Sequence, residues 1–165
     1  MNLSIERTYD VDLIEGVMRS PEIFAVTAED GARLEDVTAD PVGECWLQVV
    51  DEDGAVVALY NFHARNSVTV EIHAHVMPYF RKRYSYETGI LALTWLRDNA
   101  GRYKKVVAQI PAVYGNVIAF VKRFGFREEG VNRLSYVKDG VLMDQMLFGM
   151  TQNELKGLLD GQDDN

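Results

Sequence analysis

Residues 2–8 alternate Leu3, Ile5 and Arg7 with their neighbours at the period of a short strand. The period then lengthens. Asp10 precedes Val11, Leu13, Ile14, Val17 and Met18, whose spacing is helical, and an aspartate there can accept from the first-turn N–H groups as a cap. Ser20-Pro21 opens a second helical piece carrying Ile23, Phe24 and Val26, and polar loop sequence follows from 28 to 40. From residue 45 the period becomes two. The runs 45–50 and 55–62 are apolar, β-branched and aromatic, and Asp51-Glu52-Asp53-Gly54 between them signals a hairpin. In 68–76 the alternation sets Val68, Val70, Ile72, Ala74 and Val76 on one face and Thr69, Glu71, His73 and His75 on the other. One face is expected to be core, and the other to carry groups capable of chemistry.

Pro78 ends that strand, and Ser85 is expected to cap a helix over 86–99 whose apolar stripe is Ile90, Leu91, Leu93, Thr94 and Leu96. A strand over 104–110 comes next. Asn116 is expected to cap a short helix through Phe124, which Gly125 stops. The segments 133–138 and 141–149 pair around Asp139-Gly140, a dipeptide suited to a type I′ turn. Thr151 and Glu154 are spaced as a capping box for a last helix with Leu155, Leu158 and Leu159. This order predicts a mixed α/β fold: a central mixed sheet in which an antiparallel meander leads into one βαβ unit, with helices on both faces. No repeat or linker interrupts it. Residues 1–160 read as a single domain and 161–165 as an acidic disordered tail.

Composition changes the picture in three places. With 17 Lys+Arg against 25 Asp+Glu the formal net charge is -8, which argues against nucleic acid as a partner. The lone Cys45 allows neither an intrachain disulfide nor a cysteine-rich zinc site, and no apolar run reaches membrane-spanning length. The N-terminus lacks a signal-peptide pattern, so a cytoplasmic location is expected, with no membrane partner. Charge is also uneven: 81–127 holds ten Lys/Arg and two acids. A basic stretch in an acidic chain suggests a site for a compact anion, with the triplet Arg81-Lys82-Arg83 as its focus. His73 and His75 lack a third ligand at metal spacing, and no metal site is expected.

The sequence resembles the GNAT superfamily of acetyl-coenzyme A-dependent N-acetyltransferases, whose element order it matches over roughly the whole chain. Their fourth strand runs into V-x-P-x-x-Q/R-x-x-G-x-G/A and then a helix; here Val76, Pro78 and Arg81 are kept, and Tyr84 and Tyr86 stand at the two glycine positions. A short helix ending in K-x-G-F has its counterpart at Lys122-Arg123-Phe124-Gly125-Phe126, and the pair Asp139-Gly140 with Asp144 in the last strand is also similar. Some phage-encoded acetyltransferase-like proteins look like this. The resemblance implies acetyl-coenzyme A as cosubstrate, held near Val76, Arg81, Lys82, Arg83, Tyr84, Ser85, Tyr86 and Asn116, because backbone N–H groups and the helix dipole favour a pyrophosphate there. It implies transfer of acetyl to a primary amine of a small molecule or peptide by direct attack. Glu71 is then the candidate base, His73 or His75 a further one, and Tyr114 the candidate acid, with Tyr136 more distant; the acid of many members falls at Val121 here. The alternative is an inactive module of the same fold that binds a protein partner. The meander edge could pair with a second copy to give a homodimer.

Overall fold

The computed structural model describes residues 2–163. Strands β1 (Ser4–Arg7), β2 (Cys45–Val50), β3 (Val56–Ala64), β4 (Thr69–Val76), β5 (Lys105–Pro111), β6 (Arg127–Lys138) and β7 (Val141–Thr151) join in the order β1-β2-β3-β4-β5-β7-β6. Helices α1 (Val11–Met18) and α2 (Pro21–Thr27) follow β1, α3 (Arg81–Asn99) links β4 to β5, α4 (Gly115–Arg123) precedes β6, and α5 (Gln152–Asp163) closes the chain. The β4–β5 pairing is parallel and the β5–β7 and β6–β7 pairings antiparallel, as a meander leading into one βαβ unit requires.

Two compact units divide the chain. The first holds residues up to His63 together with Ile72–Asn99. Asp10 caps α1 by accepting from the Leu13 N–H at 3.0 Å, and Asp51 orders the β2–β3 turn by accepting from Ala55 N–H at 2.8 Å, with Gly54 at positive φ. Ile14, Leu47, Val49, Leu59 and Leu93 form its dry interior. Tyr60 and Thr88, both buried, satisfy one another through a 2.9 Å hydroxyl pair that ties β3 to α3. Truncating Leu93 to alanine there should cost about 2–5 kcal/mol.

The second unit holds Ala64–Glu71 and residues from Ala100 onward. Val106, Ala108 and Ile110 alternate inward along β5, and with Val70, Phe148, Met150, Leu155 and Leu159 they make its core. Asp139 and Gly140 both take positive φ, the geometry of a type I′ hairpin. Thr151 and Glu154 close the expected capping box: the carboxylate accepts from Thr151 N–H at 2.8 Å.

Several local expectations are corrected. Helix α3 starts at Arg81, four residues before Ser85, because a 3-10 turn at Pro78–Phe80 already sets helical geometry; Ser85 donates to the Arg81 carbonyl at 2.6 Å instead of capping. Asn116 lies inside α4, whose N-cap position is Tyr114. Strand β6 begins at Arg127, six residues before the expected start at 133, and two register shifts carry it past its glycine and polar residues. Helix α5 continues to Asp163, through the start of the segment read as a tail; residues 164 and 165 lie outside the described residues.

Candidate functional site

Strand β4 carries three of the groups singled out in the sequence, and the fold treats each differently. Glu71 is not on a solvated polar face. Its side chain is 8% exposed, and Oε2 lies 3.0 Å from Nε of the half-exposed Arg65. Parallel pairing sets Glu71 beside Val107 of β5. The carboxylate lines a hollow of about 270 Å³ together with Arg65, Gln109 and Glu129, between apolar walls that include Val107 and Leu147. Gln109 donates to Gln145 at 2.7 Å, and Ser135 donates to the same oxygen at 3.0 Å. The hollow thus joins a buried carboxylate, a second carboxylate and fixed amide dipoles to apolar wall, a combination suited to a small polar or cationic ligand.

His73 is exposed, whereas His75 is buried. The His75 ring lies over Trp46, with centroids 6.3 Å apart and planes 22° from parallel. Burial, reinforced by nearby His73, pushes its pKa down to about 3, so the imidazole is neutral at physiological pH. Its Nδ1 and the Trp46 indole nitrogen are buried with no hydrogen-bond partner among the described residues. The expected division of β4 into one core face and one polar face therefore fails at both ends: Glu71 and His75 are buried, and Ala74 is exposed.

The residues expected to meet an anion sit where β4 passes into α3. Arg81 Nε donates to the Val76 carbonyl at 2.9 Å, folding that side chain back over the strand end. The first turn of α3 contains no acid, and Arg81, Lys82 and Arg83 are exposed; among the described residues no carboxylate pairs with these three. Three cations at a helix N-terminus oppose the macrodipole, a disposition that an incoming anion reverses. Tyr84 and Tyr86 are accommodated without strain, since no residue from Val76 to Tyr86 takes positive φ. The Tyr84 ring is buried, with Phe80 6.1 Å away and the Arg83 guanidinium 5.1 Å over its face. It is packed into the interior. The residues present fit a pyrophosphate by charge: three exposed cations in the first turn, beside an inward-turned ring at the first glycine position.

Other basic residues of 81–127 are engaged elsewhere. Arg97 pairs with Asp98, Lys105 with Glu129, Lys122 with Glu128 and Arg127 with Glu154. In the second unit Tyr114 is half-buried at the N-cap of α4, Asn116 is exposed, and Tyr136 is buried on β6. Sequence reasoning did not single out Arg65, Gln109 or Glu129. The only trace of Glu129 was Gly130 beside it, because a glycine in a strand pattern often marks a bulge. No group of three or more His, Cys, Asp or Glu that could hold a metal occurs among the described residues, and no described helix is long and apolar enough to cross a membrane.

No protein-family model and no curated protein sequence matches this chain. Solved structures do. The spermidine N-acetyltransferase from Vibrio cholerae in complex with CoA and spermine superposes with a TM-score of 0.79 at 14% identity, over 93% of this chain and 98% of that one. A chimera of that enzyme with hSSAT gives 0.78 at 13% identity, over 94% and 99% of the two chains. The spermidine/spermine N-acetyltransferase SpeG from the same organism in complex with manganese ions gives 0.71 at 13% identity, over 94% and 95%. At such identity the likeness is one of fold. The chain has the GNAT fold, the mixed α/β architecture to which the sequence pointed.

Proposed function

We propose that the protein is an acetyl-coenzyme A-dependent N-acetyltransferase that places the acetyl group on a primary amine of a small cationic molecule. The observation that carries this reading is Glu71: a carboxylate only 8% exposed, fixed by Arg65 at 3.0 Å and lining a hollow that an amine can enter. The fold shared with N-acetyltransferases supports it by analogy. An aliphatic amine arrives protonated and has no lone pair to attack with. Glu71 accepts that proton, and Arg65 and the walls of β4 and β5 hold its oxygen in one orientation. His73, exposed two residues along β4, is the second candidate base, and Tyr114 the candidate for returning a proton to the leaving sulfur.

Arg81, Lys82 and Arg83, with the first N–H groups of α3, are the residues that would hold the coenzyme's phosphates, and Val76 the strand end beside its arm. Bound there, acetyl-coenzyme A supplies an acetyl group activated as a thioester. The similar structures are described as acting on spermidine or spermine, and a polyamine is the acceptor class we infer for this chain. General-base catalysis contributes about a hundredfold to ten-thousandfold. Glu71→Gln should therefore lower turnover by that order while leaving coenzyme affinity nearly unchanged, as read by steady-state kinetics and calorimetry. A loss below about threefold moves the base to His73 or water. A wild-type chain that binds coenzyme A yet acetylates no amine is a binding module.

A further inference from the structure

Strand β6 carries an extra residue beside the hollow. Arg127 pairs with Gly149, Glu128 with Phe148 and Gly130 with Leu147, so Glu129 has no partner on β7. A bulge of this kind re-aims a side chain out of the regular alternation. Here the Glu129 carboxylate lies against Gly149, in the space where any other residue would carry its Cβ. Gly149 is itself buried, so the backbone of two strands makes the room that the carboxylate uses. The result is a second carboxylate lining the hollow that holds Glu71.

We propose that Glu129 is a specificity-determining residue that binds the second ammonium group of a diamine acceptor while Glu71 addresses the first. This rests on the acetyltransferase reading above. The lining itself carries two carboxylates, Glu71 and Glu129, and one cation, Arg65, while Lys105 reaches Glu129 at 2.6 Å from outside the hollow. The Lys105 ammonium shows that the Glu129 carboxylate accepts an alkylammonium. Both members of that pair are about one-third exposed, so it is screened and readily exchanged for a ligand's ammonium. Val107 and Leu147 supply apolar wall against which methylenes between two ammonium groups can lie. A monoamine leaves one carboxylate without a ligand partner and gains less.

Putrescine and butylamine separate these cases, having the same carbon chain and two or one ammonium groups. Calorimetry on the full chain should show putrescine binding about tenfold more tightly, and kcat/KM should follow the same ratio. Glu129→Gln should remove most of that preference, weakening putrescine more than butylamine. Gly149→Ala keeps the charge of Glu129 but sets a Cβ where its carboxylate lies, and the flexible side chain must swing away; it should also remove the preference. Equal binding of the two amines by the wild type, or an unchanged ratio in both folded variants, overturns the proposal. The two readings fail separately. Transfer without diamine preference discards the role of Glu129 and keeps the transferase, whereas diamine preference without transfer keeps the binding role and discards the transferase.

Discussion

At His75 burial takes an imidazole from water, and no described residue partners its Nδ1 in return. The protonated form suffers most, which is why the pKa falls to about 3 from an ordinary 6.5. The unfolded chain binds the proton more tightly than the folded one. The contribution to stability is therefore complete above about pH 6.5 and is lost as pH falls towards 3, at about 1.4 kcal/mol per pH unit within that window. His75→Phe can keep the ring over Trp46 but cannot titrate. Denaturant titrations from pH 7 to 3 should show a flatter acid limb in the variant, and parallel limbs would remove His75 as the cause. Glu71 shows that position, too, is set by contacts outside its own strand. Its place in the hollow rests in part on the Arg65 guanidinium 3.0 Å away, and Arg65 lies across a hairpin that strand periodicity does not specify.

Helix α3 is the element in which stability and function pull apart. Its 19 residues begin with three cations and no acid, although a helix N-terminus favours negative charge by about 0.3–1 kcal/mol per group. Replacing Lys82 and Arg83 together by glutamate should therefore raise the melting temperature of the free protein slightly. The same change should weaken coenzyme A at least about tenfold, because charge-assisted contacts to phosphate become repulsive. Differential scanning fluorimetry and calorimetry on one preparation read both signs. A variant that is no less able to bind coenzyme A would show that the phosphates lie elsewhere. Arg81 is the less clean probe, since its side chain also holds the Val76 carbonyl at 2.9 Å.

For the whole molecule, a ligand that binds only the folded state stabilises it by mass action. Acetyl-coenzyme A at about 100 times its dissociation constant should add about 2.7 kcal/mol, and the melting temperature should keep rising with concentration. A melting temperature indifferent to millimolar acetyl-coenzyme A would sink the transferase reading for the chain as a whole. The net charge of -8 makes the cationic start of α3 a local exception in an acidic molecule, so added salt should weaken coenzyme binding. Amine binding to the carboxylate-lined hollow should weaken with salt for the same reason.

Local chemistry was legible in the sequence because its causes are local. Period-two runs gave β2 its bounds, Asp10 and the Thr151–Glu154 box marked the ends of α1 and α5, and Asp139-Gly140 marked its hairpin. The retained Val76, Pro78 and Arg81 pointed to the fold before any coordinates did. Helix α3 was misplaced at its start because Ser85 is as good a cap in sequence as the 3-10 turn is in space, and only packing chose between them. The hollow was not legible at all. It needs Arg65 folded back on Glu71, a register shift that frees Glu129, and a glycine across the strand pair to receive its carboxylate. Periodicity along one segment assigns a side chain to a face, but which partner lies across that face is set by register between strands distant in sequence. That pairing exists only once the chain has folded.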